Sequence, residues 1–188
     1  MRSSGTTPSP RKDRSFPLWV AIRGDDHPKA CTGRRLLARG LARKLPLTRP
    51  APLIVLDPYA SVVLSRRDRA AARTGGIAVV DCSWNALAER TSRGRPRPGD
   101  GGGSHRRLPF LLATNPQHFG RLAELNSAEA FAAALAVLGE RSRAEKLLAS
   151  FHGGPAFFEA NSERLRRYAS CADSEATLRE ERKIFGGN

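Results

Sequence analysis

Four apolar runs limit the architecture more than any other feature of the chain. They are FPLWVAI (Phe16–Ile22), PLIVL (Pro52–Leu56), IAVV (Ile77–Val80) and LPFLLA (Leu108–Ala113). None alternates apolar with polar residues. Continuously apolar runs of this length suit strands covered on both faces, as in a parallel α/β sheet. Between the first two runs, a helix is expected over about 33–44. Leu37 and Leu41 would face the core, Arg35, Arg39 and Arg43 would share another face, and Thr32 stands as its N-cap.

The texture then changes. RTSRGRPRPGDGGGSHRR (residues 90–107) is rich in Gly, Pro and Arg and reads as a flexible surface loop. Beyond it, LNSAEAFAAALAVLGE opens with Asn126 and Glu129 at capping-box spacing. Phe131, Leu135 and Leu138 mark one helical face, and Gly139 ends the helix. RAEKLLASF and FFEANSERLRRY read as further helices, separated by Gly153, Gly154 and Pro155. The expected organisation is a basic disordered tail over 1–15 and an α/β cofactor-binding unit over 16–107, including the 90–107 loop. A mainly helical unit over 108–170 completes the site, and a tail follows over 171–188.

Charge and cysteine content restrict the function. The chain of 188 residues carries 32 basic against 18 acidic residues, a net charge of +14. Residues 1–15 place four basic residues against Asp13, and residues 90–107 place six arginines against Asp100. A surplus of about six positive charges remains elsewhere, which suits a polyanionic partner or a well-solvated basic face. The three cysteines, Cys31, Cys82 and Cys171, form no CxxC pair or disulfide framework, which fits a reducing compartment. No apolar run approaches the roughly 18 residues of a membrane span, so no membrane association is expected. The N-terminal segment has no apolar h-region of a secretory signal. The four histidines are scattered, and no metal site is expected.

Three stretches could carry chemistry, and each also has an ordinary structural reading. In HPKACTGRRL (His27–Leu36), a helix start with Thr32, Lys29, Arg34 and Arg35 suits an anion; the plain alternative is an N-cap with solvated neighbours. In VVDCSW (Val79–Trp84), Asp81 ends a strand where parallel sheets bind ligands; the alternative is a cap and a core tryptophan. In the stretch 107–130, a strand leads through an Asn/Pro/Gly connection into a capped helix, or simply crosses between units.

Together these stretches, with ANSERLRRY near the end, strongly resemble the ribosome-biogenesis aminocarboxypropyltransferases of small-subunit rRNA, from about Leu18 to Tyr168. The resemblance implies a SPOUT-like knotted N-terminal α/β domain followed by a smaller all-helical C-terminal domain. It implies transfer of the 3-amino-3-carboxypropyl group of S-adenosylmethionine, without a metal, to N3 of a pseudouridine, usually N1-methylated. It further implies that Thr32 holds the donor's carboxylate through hydroxyl and backbone N–H, with Ser127 as a second backbone donor. The Val80 carbonyl would take the ribose hydroxyls, and Leu108 and Ala123 the adenine edge through main-chain groups. Leu56, Pro58, Trp84, Leu125 and Ala130 would pack around the adenine and methyl, and Asp81 would be the catalytic carboxylate near the transferred group, accepting the N3 proton or orienting the base. Lys29, Arg34, Arg35 and Arg39 are the expected RNA contacts. The partner implied is small-subunit rRNA or its precursor particle, met by a monomer in the cytoplasm, with a nuclear pool in a eukaryote. A SPOUT-like methyltransferase and a non-enzymatic assembly protein are the rival readings. Asp57, His118–Phe119 and Ala123 depart from the family pattern.

Overall fold

The computed structural model describes residues 15–22, 31–46, 52–81 and 103–186. Its centre is a five-stranded sheet of order β2-β1-β4-β3-β5, with every pairing parallel. The strands are β1 (Leu18–Ile22), β2 (Arg43–Lys44), β3 (Ile54–Leu56), β4 (Ile77–Asp81) and β5 (Ser104–Arg106). The α/β class expected from the unalternating runs is therefore present.

Side-chain alternation divides the sheet. Leu18, Val20, Ile54, Leu56, Ile77 and Val79 enter the main core, whereas Leu53, Val55 and Ala78 form a smaller cluster with Trp19 and Leu45. Seven α-helices are described: α1 (Thr32–Ala38), α2 (Arg69–Thr74), α3 (Ser127–Val137), α4 (Arg141–Leu148), α5 (Gly154–Ala160), α6 (Ser162–Ser170) and α7 (Ser174–Phe185). Helix α3 is central. It packs against α1, α4, α6 and β4, and its alanines let those neighbours approach from several sides. Its Asn126 side chain accepts from the Ala128 and Glu129 amides, and the Glu129 carboxylate accepts from the Asn126 amide, forming the expected capping box. One continuous core runs from Phe16 through Tyr168, so the α/β and helical segments share their interior.

Several expectations need correction. Helix α1 ends at Ala38, not near Lys44. Gly40, at φ +65°, turns the chain back, with Leu41 N–H donating to Leu36 O and Gly40 N–H to Leu37 O, a Schellman stop. Arg43 therefore lies in β2 and shares no helical face with Arg35 and Arg39; Leu37 and Leu41 do pack against the core, partly buried, while the fully buried leucine of α1 is Leu36. Cys31, not Thr32, is the N-cap.

Residues 108–113 form no ladder strand. Pro109 has no N–H, while the Phe110 and Leu112 amides donate to the side chains of Glu181 and Asn161. The edge strand is instead Ser104–Arg106, at the end of the supposed loop, where Ser104 N–H donates to Leu53 O and Asp57 N–H to Arg106 O. Finally, most of the supposed C-terminal tail is α7. Asp173 caps it through the Ala176 amide, Glu181 is buried in a two-pronged pair with Arg107, and Phe185 meets Phe110 edge-on.

A candidate cofactor site at the end of β4

The chain reverses its direction of travel across the sheet between β1 and β4. From β1 it proceeds outward to β2, and from β4 it proceeds to β5 on the opposite side. Ligands of open parallel sheets bind beyond the strand ends at such a switch point. Ile22 and Asp81 are paired there. β4 also outlasts β3, whose last pairing is Leu56 with Val79. Val80 and Asp81 thus extend past their neighbour on that side.

Asp81 is buried, and two helix starts converge on it. The Cys31 thiol donates to Asp81 Oδ2 at 2.7 Å while its sulfur accepts from the Arg34 amide at 3.4 Å. The Ser127 hydroxyl, at the start of α3, donates to Asp81 Oδ1. Burial, followed by the hydrogen bond to Asp81, pushes the Cys31 thiol above its ordinary pKa of 9.0, so Cys31 remains a protonated donor. Gly33 permits this approach: a Cβ there would lie 2.7 Å from Asp81 Cγ and 2.8 Å from Val20 Cγ1. The result is a fixed anion with both oxygens engaged, enclosed by α1, α3 and β4.

Thr32 follows Cys31 and is half-buried. Leu56 and Leu125 are buried, and Leu108 and Ala130 pack against the same core cluster. Pro58 lies exposed in the turn after β3, and Val80 is half-buried. Ala123 has φ +64°, a conformation disfavoured for a residue with a Cβ and held where surrounding structure imposes it. Its N–H donates to Leu111 O at 2.9 Å. The Leu108 carbonyl accepts from Arg107 at 3.1 Å. Arg34 is exposed, whereas Arg35 and Arg39 both stack over the Phe151 ring. Trp84 and Lys29 lie outside the described residues. Among the described residues, no cluster of His, Cys, Asp and Glu could hold a metal ion.

Two features escaped the reading of the sequence. Cys31 is a partner of Asp81, although thiols are unremarkable as caps and only its place before Thr32–Gly33 marked it. Glu129 does more than complete a capping box. Its carboxylate also accepts from the Thr114 amide and hydroxyl and from Asn115 Nδ2 at 2.6 Å, fixing the preceding loop to α3.

A parallel sheet with a buried acid at its switch point makes this an α/β protein with a candidate ligand site beyond the ends of β1 and β4. The family described as "Ribosome biogenesis protein, C-terminal" matches residues 54–185. The 16S rRNA aminocarboxypropyltransferase of Halobacterium salinarum is 42% identical over 162 residues, covering 86% of this chain and 92% of that protein. The 18S rRNA aminocarboxypropyltransferase of Schizosaccharomyces pombe is 37% identical over 176 residues, covering 93% of this chain and 59% of that protein. Among solved structures, the SAM-dependent rRNA:acp-transferase Tsr3 from Vulcanisaeta distributa matches with a TM-score of 0.78 at 30% identity, covering 92% of this chain and 90% of that one. The chain belongs to the ribosome-biogenesis rRNA aminocarboxypropyltransferase family.

Proposed function

We propose that the chain transfers the 3-amino-3-carboxypropyl group of S-adenosylmethionine to N3 of a pseudouridine, or its N1-methyl form, in small-subunit rRNA. The observation that carries this reading is the convergence of the α1 and α3 starts on Asp81 at the β1–β4 switch point. Relatives named for this activity support it.

The donor's sulfonium activates three carbons, and placement decides which one reacts. We assign Thr32 and the Ser127 amide to the donor carboxylate, because helix starts offer N–H groups without intrahelical partners. The Val80 carbonyl, at the strand end that outlasts β3, is assigned to the ribose. Leu108 and the strained Ala123 segment would read the adenine through the main chain, with Leu56, Pro58, Leu125 and Ala130 around it. Trp84 would cover the methyl group and leave the γ-carbon of the amino-acid chain open to N3, whose new bond to that carbon would replace the carbon–sulfur bond as methylthioadenosine leaves and the N3 proton passes to solvent. Asp81 already accepts two hydrogen bonds, so its assigned role is to orient the reacting groups as a fixed anion. Lys29, Arg34, Arg35 and Arg39 would meet phosphates; of the three described, Arg34 and Arg39 are exposed and Arg35 is half-buried.

The same proposal includes a SPOUT-like knotted topology for the α/β part, supported by the crossed strand order β2-β1-β4-β3-β5. It also includes action as a cytoplasmic monomer. Sedimentation and cell fractionation test the last two points.

The decisive experiment supplies S-adenosylmethionine labelled either in its carboxyl or in its methyl carbon, with small-subunit particles as acceptor. Carboxyl label should enter the rRNA and methyl label should not. Entry of methyl label would make the chain a methyltransferase. Entry of neither, with intact rRNA binding, would make it an assembly protein.

A further inference from the structure

The most exposed large apolar side chain among the described residues is Phe119, at 73%. It stands at the tip of a hairpin closed by an antiparallel bridge between Leu112 and Leu122. Ala113 N–H donates to Arg121 O at 2.9 Å, and Gly120 N–H to Ala113 O at 2.8 Å. At the tip, Asn115 accepts the His118 N–H through its carbonyl at 3.2 Å and through Oδ1 at 3.1 Å. Gly120 completes the turn at φ +77°. The His118 ring and the Arg121 guanidinium both engage Glu124. The other limb is held by Glu129 through Thr114 and Asn115.

Single exposed apolar side chains are ordinary, so exposure alone decides nothing. Here a flat ring is displayed on a loop fixed at both limbs and at its turn. A contact made by such a ring loses little conformational freedom on binding. The hairpin joins Ser127 through Ala123–Asn126, and Ser127 donates to Asp81. The base of the hairpin is therefore tied, through Glu129, to the first turn of the helix whose Ser127 meets Asp81. The local charge is nearly balanced, with Arg121 paired to Glu124, which suits the face of a base better than a phosphate. Unpaired RNA bases are recognised by stacking on such aromatic faces.

We propose that Phe119 stacks on an unpaired rRNA base beside the modified nucleotide. The identity of the partner rests on the transferase reading above; the contact itself can be tested without turnover. The full chain and its Phe119→Ala, Phe119→Leu and Phe119→Tyr variants are titrated against a small-subunit rRNA hairpin containing the target loop, across a potassium chloride series. Phe119→Ala and Phe119→Leu should each lose about tenfold in affinity, the scale of one stacked base, and Phe119→Tyr should retain it. The log–log salt slope should be the same in all four proteins, because no phosphate contact is lost. Melting temperature and calorimetric affinity for S-adenosylmethionine should also be unchanged.

Wild-type affinity in Phe119→Ala, or a wild type that does not bind the hairpin, overturns the proposal. Full affinity in Phe119→Leu does so too, since it would indicate an apolar contact such as a protein partner makes. A reduced salt slope would reassign the loop to phosphate binding. Tenfold weaker binding without carboxyl-label transfer would leave the stacking contact standing and remove the transferase reading. Label transfer with unchanged Phe119→Ala binding would do the reverse.

Discussion

Replacing Gly33 by alanine tests whether the position of Asp81 matters to the reaction. The new Cβ would sit 2.7 Å from Asp81 Cγ and 2.8 Å from both Asp81 Cβ and Val20 Cγ1. Ordinary contacts begin near 3.4 Å, so something must retreat by about 0.7 Å. Val20 is fully buried in β1, between β2 and β4, and has no space to enter. Asp81 ends its strand and must move, stretching its bonds to Cys31 and Ser127. Overpacking of this kind costs about 1–3 kcal/mol, and alanine returns up to about 1 kcal/mol through its helix propensity. The net loss is about 0–3 kcal/mol, which lowers the melting temperature by no more than about 12 °C at this chain length. Displacement of a positioning group by a large fraction of an ångström can cost about a hundredfold in rate. The expected result is a folded variant whose carboxyl-label transfer to rRNA falls about a hundredfold at saturating S-adenosylmethionine. A transfer rate within about threefold of wild type, in a variant that melts normally, would refute a role for Asp81 in positioning.

Removing the carboxylate of Glu181 leaves Arg107 and the Phe110 amide without their partner. Breaking a buried pair from one side costs about 3–5 kcal/mol, so Glu181→Ala should melt about 6–20 °C lower by calorimetry; a shift under about 2 °C would mean solvent replaces the contact. Alkaline pH should also weaken the fold. Burial pushes up the thiols of Cys31 and Cys171 and the phenol of Tyr168. The folded state therefore keeps these protons after the unfolded chain has released its own. Their stabilisation is complete below the ordinary thiol value of 9.0 and is lost as pH rises through the folded pKa values. Melting temperatures measured upward from pH 8 should fall more steeply in wild type than in Tyr168→Phe, and parallel curves would contradict this linkage.

The parts of the fold that were legible in the sequence are those in which one side-chain pattern determines one environment. Ile77–Val80 is continuously apolar because β4 has a strand on each side and apolar clusters on both faces. Asn126 and Glu129 announce α3 because the capping box is a local device, complete within four residues. The edge strand gave no such signal. β5 consists of Ser104, His105 and Arg106, all partly exposed, and pairs on one side only. Its strand character comes from the backbone of Leu53 and Asp57, far away in sequence. Helix α7 was hidden for a related reason. Its buried stripe includes Thr177 and Glu181, which have helical spacing but are polar. Glu181 is buried because Arg107 and the Phe110 amide meet it, and neither partner can be inferred from the helix itself.

The candidate site combines both situations. Asp81 was legible as an acid at a strand end, but its surroundings were not, because they come from three separate segments. A carboxylate at a strand end could face solvent, hold a ligand or tie elements together. The Cys31 thiol and the Ser127 hydroxyl distinguish these cases by occupying one oxygen each. This makes Asp81 a tie between the starts of α1 and α3 as well as a neighbour of the proposed reacting group. The two roles depend on one another. An anion can orient a reacting group only if its own position is fixed, and here the fixing contacts come from the same helix starts that are assigned to the donor's carboxylate. Displacement of either helix would therefore disturb donor binding and the orienting anion together, so substitutions at Cys31, Gly33 and Ser127 should not have additive effects.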